Sequence, residues 1–208
     1  GKTDFRLLQE IYSQNEESQP IAQIADKLHP WAAFIFAGST FPQGYSSENG
    51  ADMLLTNAAA DINKPRGSLE NLDDVTAIFK AQPEETMLNF LKASIKTNKE
   101  ETEDVKKLHQ AYSDGRFEEL IPLLEETEQR TLKRVDAKYA KAMSDWLKND
   151  LLIRRNLAWL PEIRKQSAKQ STLFAVGIAH LPSEKGLIEL LRQEGYQVTP
   201  EPKVLIWQ

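Results

Sequence analysis

Apolar residues at helical spacing run through the centre of the chain, and this periodicity constrains the fold more than any other feature. Met87, Phe90 and Leu91 share one side of a helix that Pro83 can begin. The pattern continues through Val105, Leu108 and Tyr112, then Phe117, Leu120, Ile121 and Leu124, and then Leu132, Val135, Tyr139, Met143 and Trp146. We therefore predict that residues 84–150 are almost wholly helical.

Charge and turn residues divide this helical region. The run KTNKEETEDVKK, residues 96–107, is typical of a solvated linker and helix face, and Asp114-Gly115 is a stop signal. The spacing from Leu132 to Trp146 predicts one long amphipathic helix.

Four short segments have the composition of strands, at residues 65–70, 173–178, 196–199 and 204–207. The second and third flank a helical pattern of leucines that ends before Gly195, which is the order of a βαβ unit. The sequence thus predicts an α/β fold: one domain over residues 1–208, with a small sheet and a large helical insertion at 84–150.

Composition excludes several classes of function. The 208 residues contain no cysteine, which rules out disulfides, thiol catalysis and sulfur-rich zinc sites. The net charge is −5 and positive side chains are interleaved with negative ones, so we predict no nucleic-acid partner. No apolar run approaches the ~18 residues of a membrane span.

The chain opens on Gly-Lys without an initiator methionine. We expect the natural amino terminus to precede residue 1, and a signal peptide there would indicate a periplasmic or secreted protein.

Four segments resemble motifs of one family, and they occur in the same order as in that family. They are NGADMLLTNAAADINKPRGSLENLDDVTAIF (49–79), QAYSDGRFEELIPLLEE (110–126), RRNLAWLPEI (154–163) and Gly177-Ile-Ala-His180. Together they resemble the TraB/GumN/PrgY family, which is related to the Tiki proteases, over most of the chain from residue 49 onward. Family members carry a further Gly-x-x-His near the amino terminus. This sequence lacks it, since His29 and His109 lie in other contexts, so we expect a chain truncated at that end.

The resemblance implies a metal-dependent hydrolase, possibly a peptidase. It assigns metal binding to His180, catalysis to Glu70 and Arg155, and binding to Gly177 and Asn156. The residues themselves leave other interpretations open. His180 can instead hydrogen-bond a turn, Glu70 can be a surface carboxylate at a helix start, and Arg155 can be solvated. If the assignment is right, we expect Glu70, Arg155 and His180 to approach within roughly 10 Å in one cleft.

A catalytic metal usually takes three protein ligands, and the resemblance implies two in this chain. We therefore expect zinc, manganese or cobalt to bind weakly or not at all, and the hydrolase to be incomplete. The alternative is a non-catalytic module that binds a peptide or a glycan. The expected substrate is a peptide or small molecule, and the oligomeric state is left open.

Overall fold

Helix is the sole regular secondary structure in the part of the chain that the computed structural model describes, residues 2–14, 16–38 and 46–200. The α-helices there are α1 (Lys2–Tyr12), α2 (Gln19–Ala22), α3 (Pro30–Gly38), α4 (Ala51–Asp61), α5 (Leu72–Lys80), α6 (Glu84–Ser113), α7 (Leu120–Leu132), α8 (Ala137–Asp145), α9 (Arg154–Ser167) and α10 (Leu187–Gln193). Shorter 3₁₀ turns are Ala25–Lys27, Ser47–Asn49, Phe117–Glu119 and Ile178–His180, and a π-helix spans Trp146–Ile153. None of these described helices is long and apolar enough to cross a bilayer.

The chain divides into two compact units, Gly1–Trp146 and Leu147–Gln208. In the first unit, α6 packs against α1, α3, α7 and α8. Buried residues of α1, α3 and α6, with Ala25, form one core cluster. Within it, the hydroxyl of Tyr12 donates to the carbonyl of Ala33 at 2.7 Å, and burial raises the pKa of that hydroxyl.

Aromatic rings around Trp146 form a second centre of packing in the first unit. Phe79 meets the indole edge-on, with ring centroids 5.2 Å apart, while Phe34 and Phe90 lie at 5.9 and 5.8 Å. The indole N–H donates to the carbonyl of Ile78 at 3.4 Å, so the polar atom of this buried ring also has a partner.

Local residues explain where the central helices begin and end. The number of these helices, however, differs from the prediction. Pro83 precedes α6, which ends at Ser113 before Gly115 in the left-handed conformation (φ 66°). The helix runs on through the charged residues 96–107, because Lys and Glu are good helix formers. The single helix expected from Leu132 to Trp146 is interrupted, since Asp136 accepts from the N–H of Lys138 at 2.9 Å and caps a new helix, α8.

The α/β prediction is wrong, because the described residues contain no strand. Residues 65–70 are an irregular, largely exposed segment before α5. Pro65 has no N–H to donate to a ladder, and Gly67 has no side chain to pack, so this segment lacks what holds a strand in a sheet.

The two later segments are also irregular. Residues 171–177 have no regular structure, with Leu173 76% exposed, and Ile178 begins a 3₁₀ turn. Residues 196–200 have no regular structure either. An extended segment becomes a strand only when a neighbour completes its hydrogen bonds, and local composition cannot supply that neighbour. The candidate strand at 204–207 lies outside the described residues.

Removing the indole at the centre of the aromatic cluster tests the first unit. Trp146 is 2% exposed, so Trp146→Ala should lower the free energy of unfolding by about 3–5 kcal/mol. Leu72→Ala is the control, because Leu72 is 77% exposed and its loss should change stability by less than ~0.5 kcal/mol. Urea unfolding measures both, and equal effects would contradict this packing.

Candidate functional site

Helix α9 places three side chains of the second unit on adjoining faces. Arg155 and Trp159 are four residues apart and lie one above the other, while Asn156 is three residues before Trp159. Asn156 is 2% exposed and Trp159 4%. The neighbouring Arg154 points elsewhere, toward Asp150 at 3.7 Å, and is largely exposed. The two successive arginines therefore have different environments.

His180 lies in a one-turn 3₁₀ helix, Ile178–His180, and contacts these side chains. The backbone N–H of His180 donates to the carbonyl of Gly177 at 2.9 Å, and the whole residue is 7% exposed. The ring packs against Trp159 with centroids 4.5 Å apart and planes inclined by 44°. His180 is thus held by the fold, in contrast to a histidine of a loose surface loop.

The side-chain amide of Asn156 contacts both the backbone and the imidazole of His180. The amide Nδ2 donates to the carbonyl of His180 at 3.3 Å and to the carbonyl of Lys185 at 2.9 Å. The amide Oδ1 lies 2.7 Å from Nδ1 of the imidazole. These contacts tie α9 to the turn at residues 180–186.

Arg155 faces the opposite edge of the imidazole. Its Nη1 lies 3.4 Å from Nε2 of His180 and also donates to the carbonyl of Leu151 at 3.0 Å. The guanidinium carbon is 5.0 Å from the centroid of the Trp159 ring, which is a cation–π distance. The structure therefore brings Arg155, Asn156 and His180 together, with Trp159 beneath them.

The other two predicted residues are Gly177, next to the histidine turn, and Glu70, in the first unit. Gly177 precedes the histidine turn with φ −58° and ψ 139°, a conformation open to any residue, and its main contact with the site is the hydrogen bond to His180. Glu70 belongs to the first unit, one residue before Asn71, which caps α5. The role of its carboxylate stays a prediction.

The immediate surroundings of His180 do not fit a resident metal ion. A zinc ion would lie about 2.0–2.1 Å from a ring nitrogen. Asn156 takes the Nδ1 side, and on the Nε2 side the ion would compete with a guanidinium nitrogen 3.4 Å away. Within the described residues, no three His, Cys, Asp or Glu side chains are grouped to hold a metal. A cation at His180 would require Arg155 to move.

Trp159 and Gly186 contribute to the site, although the sequence patterns did not single them out. Trp159 fits the apolar side of α9, and nothing in its spacing separates a core indole from one that supports a histidine and an arginine. Gly186 precedes α10, and a Cβ there would lie 1.8 Å from the carbonyl oxygen of Pro182 and 2.4 Å from that of Leu181. Ser183, between them, adopts a left-handed φ of 81°. The turn is therefore closed too tightly for any residue but glycine at 186.

Alanine substitution at two glycines of the second unit tests this tight turn. Gly186→Ala should lower the free energy of unfolding by about 1–3 kcal/mol or more, since both clashes are with backbone atoms. Gly177→Ala is the matched control, because its Cβ would meet only Cδ2 of His180 at an ordinary 3.7 Å. Urea unfolding, followed by hydrogen exchange of the α9 and α10 amides, reports the difference. A greater loss in Gly177→Ala would contradict the assignment.

The comparisons with known proteins agree with the resemblance of the motifs. The model of the TraB/PrgY/gumN family matches residues 1–200. Neither the curated proteins nor the solved structures give a match. Because the family match covers nearly the whole sequence, this chain belongs to the TraB/PrgY/gumN family.

Proposed function

We propose that this protein is a hydrolase whose chemistry is centred on His180 and Arg155, with peptides as the substrate class. The observation that carries the proposal is the buried imidazole with Nε2 beside a guanidinium at 3.4 Å. A histidine fixed next to a fixed cation suits proton transfer and charge stabilisation in one place. The peptide class comes from the resemblance to the Tiki proteases.

The proposed step is attack of water on a carbonyl carbon. Once Arg155 turns from Nε2 toward the substrate carbonyl, Nε2 of His180 takes the proton as the water oxygen bonds to carbon, and the carbonyl electron pair moves to oxygen. Arg155 then donates hydrogen bonds to the oxyanion. As the carbonyl re-forms, the carbon–nitrogen bond breaks, and the histidine gives its proton to the leaving amine. The cation–π contact with Trp159 keeps the guanidinium oriented for this role.

A divalent metal is part of the proposal only as a weakly held ion. Zinc, manganese or cobalt would activate water if bound. His180 is the candidate ligand, and the contact between Arg155 and Nε2 opposes such binding.

A non-catalytic module is the second candidate, and one feature of the second unit favours it. An open surface groove of about 570 Å³ lies along the turn and α10. Glu184, Lys185, Glu189 and Arg192 line it together with apolar residues such as Ile188. Charges of both signs beside apolar side chains suit a short peptide or a glycan.

Histidine substitution separates the two candidates. His180→Ala should lower the rate of cleavage of a quenched fluorescent peptide library by about 10²–10⁴-fold, the usual contribution of a general base. His109→Ala is the control, since His109 is an exposed residue of α6 in the first unit. If wild type cleaves no peptide but binds the library, and His180→Ala binds equally, the binding module is correct and the hydrolase is not.

Metal binding has its own test. Calorimetric titration of zinc, manganese and cobalt should show weak binding or none, because one imidazole leaves most of the coordination sphere to water. Any heat that is detected should be lost in His180→Ala and kept in His109→Ala. Tight binding that survives His180→Ala would place a metal site elsewhere in the protein and contradict the role given to His180.

A further inference from the structure

We infer that Asn156 is a positioning residue that holds His180 with its proton on Nδ1, so that Nε2 alone carries the reactive lone pair. This inference rests on the proposed function for its catalytic meaning. The geometry of the amide carries the assignment of the proton, independently of any activity.

The orientation of the Asn156 amide is fixed by its two donor bonds. Nδ2 has two hydrogens, and two backbone carbonyls, those of His180 and Lys185, accept them at 3.3 and 2.9 Å. A flipped amide would turn its oxygen toward both carbonyls, leaving three acceptors together with no donor. The flip would cost two hydrogen bonds in a buried place, so Oδ1 must face the imidazole.

The orientation of the amide in turn fixes the proton of the imidazole. Oδ1 is an acceptor without hydrogen, so the 2.7 Å contact is a hydrogen bond only when Nδ1 of His180 is the donor. A neutral imidazole has one proton, and placing it on Nδ1 leaves a lone pair on Nε2. The 3.4 Å contact with Arg155, a donor at every nitrogen, agrees with an acceptor at Nε2.

Burial makes this arrangement costly to break. Asn156 is 2% exposed, so little water can replace a lost partner, and an unsatisfied buried group destabilises the fold. The described buried side chains contain no polar atom without a partner. The other ring tautomer would set a bare Nδ1 against Oδ1, and an N–H on Nε2 against the Arg155 cation.

This tautomer fixes the order of the two proton transfers in the proposed reaction. Neutral His180 can accept a proton at Nε2 but has none to give there. It must therefore act first as a base toward water, and it becomes an acid toward the leaving group only after that transfer. A substrate that needs its leaving group protonated before attack would be a poor one.

Imidazole ¹⁵N spectroscopy of the whole chain tests the assignment directly. Wild-type His180 should give the pattern of one protonated nitrogen, Nδ1, and one unprotonated nitrogen, Nε2. Asn156→Ala should raise the fraction of the Nε2–H form, because the proton on Nδ1 then has no side-chain acceptor. A wild-type ring with its proton on Nε2 would overturn the inference, even if the protein cleaves peptides.

A matched control separates positioning from general loss of stability. Asn71→Ala removes a different asparagine, in the first unit, whose Oδ1 accepts from the backbone N–H of Asp74 at 2.8 Å. It should leave the His180 signals unchanged.

Where cleavage is measurable, Asn156→Ala should lower kcat more than it raises KM. An unchanged tautomer in folded Asn156→Ala would contradict the positioning role, and a lack of cleavage with the expected tautomer change would contradict only the proposed hydrolase.

Discussion

The hydrogen bonds of one buried amide, that of Asn156, organise the second unit. Three contacts of 2.7, 2.9 and 3.3 Å join α9 to the imidazole and backbone of His180 and to the carbonyl of Lys185. The tight turn that ends at Gly186 carries the Lys185 carbonyl that accepts from this amide, and Trp159 packs against the imidazole that the amide contacts. The same bonds that close this part of the fold also set the chemistry of the histidine.

Local signals in the sequence predicted helices well and strands badly. Pro83 and the Asp114-Gly115 pair mark the two ends of α6, because helical hydrogen bonds join residues close in sequence, but the charged run 96–107, expected to be a linker, lies inside this single helix. The segment 173–178 has strand composition yet stays unpaired, since a strand depends on a distant partner that composition does not reveal. A βαβ pattern of residues was therefore insufficient evidence for a sheet.

Only the residues of the site that lie in a family motif could be predicted from the sequence. The family resemblance pointed to Arg155 and His180, which lie in contact, but it could not tell that the guanidinium faces Nε2. It emphasised Gly177, whereas the steric need for glycine is at Gly186. The binding role that the resemblance gave Asn156 stays a prediction, and the resemblance did not reveal that both amide hydrogens are donated to backbone carbonyls. The contacts of Arg155 and Asn156 with His180 join segments more than twenty residues apart, whereas the constraint on Gly186 comes from the local turn at Leu181 and Pro182.

A double-mutant cycle between Asn156 and His180 measures the central interaction most directly. Asn156→Ala, His180→Ala and the double variant are unfolded in urea, and the coupling free energy is taken from the four stabilities. Residues that share buried hydrogen bonds should couple by about 0.5–3 kcal/mol. Effects that add to within about 0.3 kcal/mol would show two independent side chains, and would contradict an account in which Asn156 holds His180.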